Sequence, residues 1–106
     1  MITEIVLFSL PEGMTREQVV AAFRDSAPKW RANRDLIRKN YLYDAEKRQG
    51  GGAYLWKDIA AAKRWHGEEF RKLVRQRYGS DPVFQYFETP VVVDNVADKT
   101  VEDVAA

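Results

Sequence analysis

Residues 36–56, LIRKNYLYDAEKRQGGGAYLW, decide the fold because they predict two strands joined by a short turn. Residues 36–44 are rich in tyrosine and branched apolar residues, a composition typical of a strand. Residues 45–51 are polar and end in glycines, which indicates a turn, and residues 52–56 predict the next strand. A hairpin is therefore expected near the centre of the chain.

A strand and a helix are predicted before this hairpin. Residues 2–10 include four consecutive large apolar residues at positions 5–8, so both faces of that strand should be buried. Thr15 and Gln18 have the spacing of a capping box, which opens a helix. Pro28 should end that helix or bend it, because proline has no backbone N–H and its ring crowds the preceding turn.

Two helical stretches and a strand are predicted after the hairpin. Asp58 can cap a helix over residues 59–66, and a further helical stretch ends at Gly79. Residues 82–88 predict a fourth strand and residues 91–93 a short fifth one. The order β-α-β-β-α-β predicts an α+β, ferredoxin-like domain, a sheet with its helices on one face.

Composition limits the classes of partner. The chain has 106 residues, enough for one core, which we assign to residues 1–95; residues 96–106 are expected to form a C-terminal tail that is loosely held or lies along a partner. The 17 basic and 16 acidic side chains favour neither nucleic acid nor a membrane as partner. The lack of cysteine fits a cytoplasmic location and, with a single histidine, predicts no metal site and no cofactor.

The predicted strands carry large apolar residues in both alternating phases. In the first, third and fourth strands these residues are Ile5, Val6, Leu7, Phe8, Tyr54, Leu55, Trp56, Val83, Phe84, Tyr86 and Phe87. Helices would cover only one face of the sheet, and each large side chain left in water forgoes about 1.5 to 3 kcal/mol of burial. A second copy of the chain, related by two-fold symmetry, is the expected cover.

Several motifs resemble those of one protein family. They are LIRKNY at residues 36–41, GGGAYLW at 50–56, Phe70, RYG at 77–79 and FETPVVVD at 87–94. These motifs resemble the monooxygenase family of the dimeric α/β-barrel (antibiotic-biosynthesis-monooxygenase-like) superfamily. The resemblance implies a ferredoxin-like protomer, a homodimer that forms a dimeric α/β barrel, and a pocket between sheet and helices in each subunit. The superfamily contains cofactor-independent oxygenases, haem-degrading enzymes and isomerases, so the fold alone selects no reaction.

Oxygenation without a cofactor requires a dry cavity, a base and donors that hold the substrate anion. His66 is the default base, since it is the only side chain with an ordinary pKa near neutrality. Arg38 and Asn40 share one face of the second strand and could hold an oxyanion or a carboxylate. Each has a purely structural alternative: a half-exposed helical residue for His66, and a solvated strand edge or a dimer salt bridge for the other two.

Aromatic residues are the candidates for binding a flat molecule. Tyr54 and Trp56 alternate onto one face of the third strand, where they line a pocket or form core. The predicted substrate-binding residues are Tyr54, Trp56, Trp65, Phe8 and Phe87. The expected function is a cofactor-independent monooxygenase that acts on a small aromatic or quinol-like compound.

Three alternatives stay open. A ligand carrier would use the same pocket without turnover. A haem-degrading enzyme would use Asn40, Trp65 and His66, but neighbouring Trp65 and His66 point about 100° apart on a helix. An RNA-recognition module shares the order of elements and the aromatics on the third strand. The chain lacks the basic opening of that module's motif, and its near-neutral charge attracts phosphate weakly.

Overall fold

The computed structural model describes residues 1–103. Along the chain the elements are β1 (Ile2–Ser9), α1 (Arg16–Arg31), β2 (Leu36–Asp44), β3 (Gln49–Trp56), α2 (Ile59–Trp65), α3 (Glu68–Tyr78), β4 (Val83–Glu88), β5 (Val91–Asp94) and β6 (Lys99–Glu102). The predicted α+β class is confirmed: a four-stranded antiparallel sheet and a two-stranded sheet accompany three helices within these residues. This arrangement is compatible with the ferredoxin-like fold.

The main sheet has the strand order β2-β3-β1-β4, with every neighbouring pair antiparallel. In the central strand β1, Glu4 lies opposite Tyr54 of β3 on one side and Tyr86 of β4 on the other. Because side chains alternate between the faces of a strand, Glu4, Val6 and Phe8 all point to the same face, and all three are buried. This is the face that the helices cover.

The helix ends follow their local sequence signals. Thr15 and Gln18 form the predicted capping box, in which each side chain accepts a hydrogen bond from the other residue's backbone N–H. The Asp58 carboxylate accepts from the Ala61 N–H at 2.8 Å and caps α2 as predicted. Gly79 ends α3 in the left-handed conformation, with φ of 76°.

The helix α1 runs through Pro28 and ends only at Arg31, so of the two predicted alternatives an end at Pro28 is wrong. Helical hydrogen bonding resumes beyond the proline: the Ala32 N–H donates to the Pro28 carbonyl at 3.1 Å. Trp30 lies in this last turn and is buried in the core. Burial of a large aromatic side chain offsets the bond that proline cannot make.

The third strand is longer than predicted, since it begins at Gln49 rather than at Gly52. The glycines at 50–52 therefore belong to the sheet, and the turn is confined to residues 45–48. A Cβ atom at Gly51 would lie 1.8 Å from the Val6 carbonyl oxygen, so only glycine allows β3 to approach β1 this closely.

Residues 99–102 of the predicted tail are not loosely held, because they form β6, which pairs with β5 in a hairpin. The alternative that the tail lies along a partner stays a prediction. In the turn, the Asp94 carboxylate accepts hydrogen bonds from the backbone N–H groups of Val96 and Ala97. At the end of the hairpin, the Asp103 N–H donates to the Pro90 carbonyl at 2.8 Å. The N-terminal ammonium group also forms an ion pair with Asp103. The rest of the predicted tail, residues 104–106, lies outside the described residues.

The two faces of the main sheet differ in cover. The helix-covered face holds the core, whose largest fully buried apolar side chain is Trp56. On the other face, which we call the open face, Val83 and Phe87 of β4 are 64% and 53% exposed. In residues 1–103 we find no helix with the length and apolar character needed to cross a membrane.

Candidate functional site

A cavity of about 490 Å³ lies between the main sheet and the helices α1 and α3. Charged and polar side chains, among them Asp25, Lys29 and Arg77, line part of it, and its aromatic lining residues are Phe8, Phe23, Trp30, Tyr41, Tyr54, Phe70 and Tyr78. This volume is in the range of sites that bind small organic molecules. The predicted pocket between sheet and helices is thus present as a cavity in the single chain.

Helical and strand periodicity bring these rings together. Phe23 and Trp30 are seven residues apart on α1, and Phe70 and Tyr78 are eight apart on α3, so each pair faces the sheet from one side of its helix. Tyr78 stacks on Phe8 of β1, with 4.3 Å between the ring centroids. The rings support one another across three elements and form a rigid, flat-walled space.

Lys39 of β2 brings an amine into this cavity. Its Nζ lies 3.8 Å from the ring centroid of Tyr41, 4.6 Å from that of Tyr54 and 4.7 Å from that of Trp30. No carboxylate within residues 1–103 forms an ion pair with it. Burial, and then the positive charge of Lys29, lower the pKa of Lys39 to about 7. The negative faces of the rings favour the ammonium form and offset only part of that effect.

Gly52 explains how Lys39 and Tyr54 meet. Lys39 is paired with Tyr54 across the β2–β3 ladder, and Gly52 lies two residues before Tyr54 on the same face. A Cβ atom at Gly52 would lie 2.7 Å from the Tyr54 ring and 3.1 Å from Cε of Lys39. The missing side chain leaves the space that the lysine stem and the ring occupy.

Sequence reasoning missed Lys39, although a signal was present. In β2, Lys39 alternates with Tyr41 and Tyr43, which places it on the same apolar face as those two tyrosines. A single lysine on an otherwise apolar face of a strand is a candidate for a lowered pKa, because burial disfavours its charged form.

His66 is buried next to the cavity but does not line it. Its ring makes an edge contact with Tyr54 at 4.4 Å between centroids and a tilted contact with Phe70 at 4.1 Å, and both of those residues do line the cavity. The half-exposed alternative for His66 is wrong, since none of its side chain is exposed. Burial lowers the pKa of His66, and the neighbouring Glu4 opposes this shift only in part.

A buried polar cluster of Glu4, Trp56 and His66 lies at this position. Glu4 Oε1 is 2.6 Å from His66 Nδ1 and accepts a hydrogen bond from Trp56 Nε1 at 2.8 Å. Within residues 1–103, Glu4 Oε2 and His66 Nε2 are buried without a hydrogen-bond partner. Burial and the nearby Glu4 raise the pKa of Tyr86 to about 12. Glu4 was not predicted as a site residue, since the sequence does not indicate which side chain a single carboxylate in an apolar strand contacts.

The structure separates the predicted aromatic residues. Tyr54 and Phe8 line the cavity. Trp56 shares the face of Tyr54 as predicted and stacks on it, but it lies fully buried in the core. Trp65 is 42% exposed, and its Nε1 donates to Asp35 Oδ2 at 3.0 Å on the surface. The helix α2 ends at Trp65, so His66 lies just beyond it rather than in it as predicted; Trp65 is exposed whereas His66 is buried, which speaks against one ligand shared by both.

The remaining predicted residues lie away from the cavity. Arg38 and Asn40 share one face of β2 as predicted, but both are exposed and do not line the cavity. Phe87 lies on the open face. The helix-covered side of β2 therefore presents Lys39 to the cavity, whereas the two predicted anion-binding residues point to the other side.

At the cavity mouth, Arg77 of α3 donates to Asp25 of α1 at 2.7 Å, and Ser26 and Tyr41 share a hydrogen bond of 2.6 Å. The residues up to Asp103 contain no group of three or more histidine, cysteine or acidic side chains placed to hold a metal ion. The arrangement can hold a flat apolar molecule beside an amine that accepts or donates a proton near neutral pH.

No family model matches this sequence, and none of the curated proteins matches it.

Proposed function

We propose that this protein is a cofactor-independent monooxygenase that acts on a small aromatic or quinol-like compound in the cavity. The observation that supports this most directly is the position of the Lys39 amine beside the aromatic rings of the cavity. No acidic side chain within residues 1–103 forms an ion pair with it. Such a site can bind a hydroxy-aromatic ring and hold it as its anion.

Binding relies on the flat walls. A small aromatic ring fits between the stacked pair of Phe8 and Tyr78 and the edge of Trp30, and gains offset or edge contacts with them. A ligand hydroxyl near Nζ of Lys39 gives its proton to the neutral amine. The product is a phenolate beside an ammonium ion, and their attraction is stronger beside the apolar rings than it would be in bulk water.

Oxygen completes the reaction without another reductant. The substrate anion donates one electron to O₂, and the resulting radical pair combines at a ring carbon that bears hydrogen. The peroxide anion takes the proton back from the Lys39 ammonium, and the hydroperoxide then loses its terminal OH together with the hydrogen of that ring carbon as water and leaves a carbonyl group. One oxygen atom ends in the product and one in water, and all four electrons come from the substrate.

Lys39 is better placed than His66 to accept the proton. His66 lies outside the cavity wall, with Tyr54 and Phe70 between its ring and the cavity. A general base must reach the proton it takes, directly or through one water molecule. The role of His66 as the base stays a prediction, and a comparison of turnover in Lys39→Met and His66→Ala tests it.

The test is O₂ consumption with a panel of phenols, dihydroxybenzenes and larger hydroxy-aromatic compounds. With ¹⁸O₂, one labelled oxygen atom should appear in the product. Lys39→Met should lose this activity, whereas Lys72→Met, a change at an exposed lysine of α3, should keep it. Saturable ligand binding without O₂ consumption would favour the carrier alternative. If no compound of the panel binds and none is turned over, the proposal is refuted.

We also propose that two copies pair through their open faces to form a dimeric α/β barrel. Ile5, Leu7 and Leu55 lie on that face beside the exposed Val83 and Phe87. A patch of this kind in a soluble domain marks an interaction surface. A second copy offers a matching patch through two-fold symmetry.

An RNA-recognition role has less support. That module stacks bases on aromatic residues of an accessible sheet face. Here Tyr54 and Trp56 lie on the helix-covered face and are buried. We therefore propose a small molecule, not nucleic acid, as the partner, and a cytoplasmic location in keeping with the absence of cysteine.

A further inference from the structure

We infer that the amine of Lys39 forms a reversible covalent imine with small, flat aldehydes or ketones that enter the cavity. This goes beyond the proposed oxygenase reaction, because it requires neither O₂ nor a hydroxyl group on the ligand. It requires a carbonyl carbon that can reach Nζ.

The surroundings of Nζ suit a nucleophile. Amine nucleophiles are activated by desolvation in an apolar pocket or by a second cation nearby, and Lys39 has both, since Lys29 is the neighbouring cation. The acidic residue that lines the same cavity, Asp25, is engaged by Arg77 instead. Nothing within residues 1–103 therefore pins the amine as one half of an ion pair.

The neutral amine is well populated at neutral pH. With the pKa of Lys39 at about 7, roughly half of the molecules carry a free lone pair at pH 7. An ordinary lysine with pKa of about 10.4 has only about one neutral amine in 2,500 at that pH. Exposed lysines of this chain, such as Lys72, are therefore suitable internal references.

The step balances without an oxidant or a reductant. The Nζ lone pair attacks the carbonyl carbon, a C–N bond forms, and the C=O π electrons move to oxygen, which gains a proton. The resulting carbinolamine takes up one proton from the solvent and loses its hydroxyl group as water, and a protonated imine remains. Hydrolysis by the reverse path restores the amine and the carbonyl compound.

The aromatic rings should stabilise the product. A protonated imine is a cation at the position of Nζ, which lies within 4.7 Å of three ring centroids, those of Trp30, Tyr41 and Tyr54. The ring faces attract such a cation.

The experiment is reductive trapping on the full chain. The protein is incubated with benzaldehyde and sodium cyanoborohydride at pH 7, and benzylated lysines are located and timed by peptide mass spectrometry. Lys39 should be labelled about 10- to 100-fold faster than Lys72, less than the ratio of their neutral fractions because a less basic amine is also a weaker nucleophile. The rate of Lys39 labelling should rise with pH, with a midpoint near the pKa of Lys39 at about 7, and should level off at higher pH.

Two variants complete the experiment. Lys39→Arg keeps a positive charge but cannot form an imine, so the fast phase of labelling should vanish. Lys72→Arg should retain that phase. If Lys39→Arg does not fold, as judged by circular dichroism, the comparison of Lys39 with Lys72 in the wild-type protein still decides the question.

Labelling of Lys39 no faster than that of Lys72 would overturn the inference, whatever the O₂ measurements show. Fast labelling without O₂ consumption would support the imine and count against the oxygenase. O₂ consumption without fast labelling would do the opposite. The two proposals can therefore fail separately.

Discussion

The amine of Lys39 lies 3.8 Å from the ring centroid of Tyr41, two residues further along the same strand. The same tyrosine stacks on Phe23 of α1 and shares a hydrogen bond with Ser26. Its ring is thus held from the helix side while its face meets the amine. This contact connects the strand pattern of β2 with the chemistry of the cavity.

Removal of the charge of Lys29 should raise the pKa of Lys39, because the repulsion between the two ammonium groups disfavours the protonated form. In Lys29→Gln we expect the midpoint of the labelling profile to move up by a few tenths of a pH unit to about one unit. Lys29→Arg keeps the charge and serves as control. An unchanged or lower midpoint in Lys29→Gln would show that the charge of Lys29 does not reach the amine.

Lys39 should also make stability depend on pH. Between about pH 7 and the usual lysine value of 10.5 the unfolded chain binds a proton that the folded chain lacks, so the free energy of unfolding should rise with pH through that window. Lys39→Met should flatten this rise. It should also stabilise the fold at pH 6 by on the order of 2 kcal/mol, less than the pKa difference alone implies because the ring faces stabilise the ammonium.

Urea unfolding at several pH values measures this effect, with Lys72→Met as the exposed control. A slope that stays the same in Lys39→Met would assign the pH dependence to other groups.

Glu4 and His66 should stabilise the fold as a pair. Glu4→Ala leaves His66 and Trp56 without their acceptor in the core, and each buried donor left unsatisfied costs about 1 to 3 kcal/mol. His66→Ala should cost less when Glu4 is already absent, so the two effects should not add. Urea unfolding of both single variants and the double variant checks this, with Glu46→Ala in an exposed turn as reference. Additive effects would contradict a direct interaction.

The two candidate bases can be separated by turnover. Removal of a general base slows a reaction about 10²- to 10⁴-fold. If Lys39 takes the proton, Lys39→Met should show this loss, and His66→Ala should retain most of its activity once its folded fraction is matched. The opposite pattern would restore the sequence-based assignment of His66. O₂ consumption per folded molecule is the measurement.

The proposed dimer predicts a mass of about twice 12.3 kDa by light scattering at micromolar concentration. Phe87→Glu places a charge in the open face and should yield monomers. Ile59→Glu, a similar change at a partly exposed position of α2 in the helix layer, should leave the dimer intact. A wild-type monomer at these concentrations would refute the pairing of open faces.

The order of the elements could be predicted because its signals are local. The Thr15 capping box, the Asp58 cap and Gly79 each act within one turn of their helix, so neighbouring residues suffice to locate them. Alternation likewise placed Tyr54 and Trp56 on one face of their strand. The passage of α1 through Pro28 was not decided locally, since the burial of Trp30 in the core contributes to it.

The site depends on contacts that are distant in sequence. Glu4 and His66 are 62 positions apart, and only the packing of α2 on β1 brings them together. Lys39 lies in a strand whose phase was readable, but the sequence did not tell which face the helices cover or that aromatic rings surround Nζ. A pKa depends on burial and on nearby charges, and both are properties of the folded chain. The sequence by itself therefore determined the order of the elements through β5 and their alternation, whereas the tertiary structure decided which amine enters the cavity and that the single histidine is buried beside it.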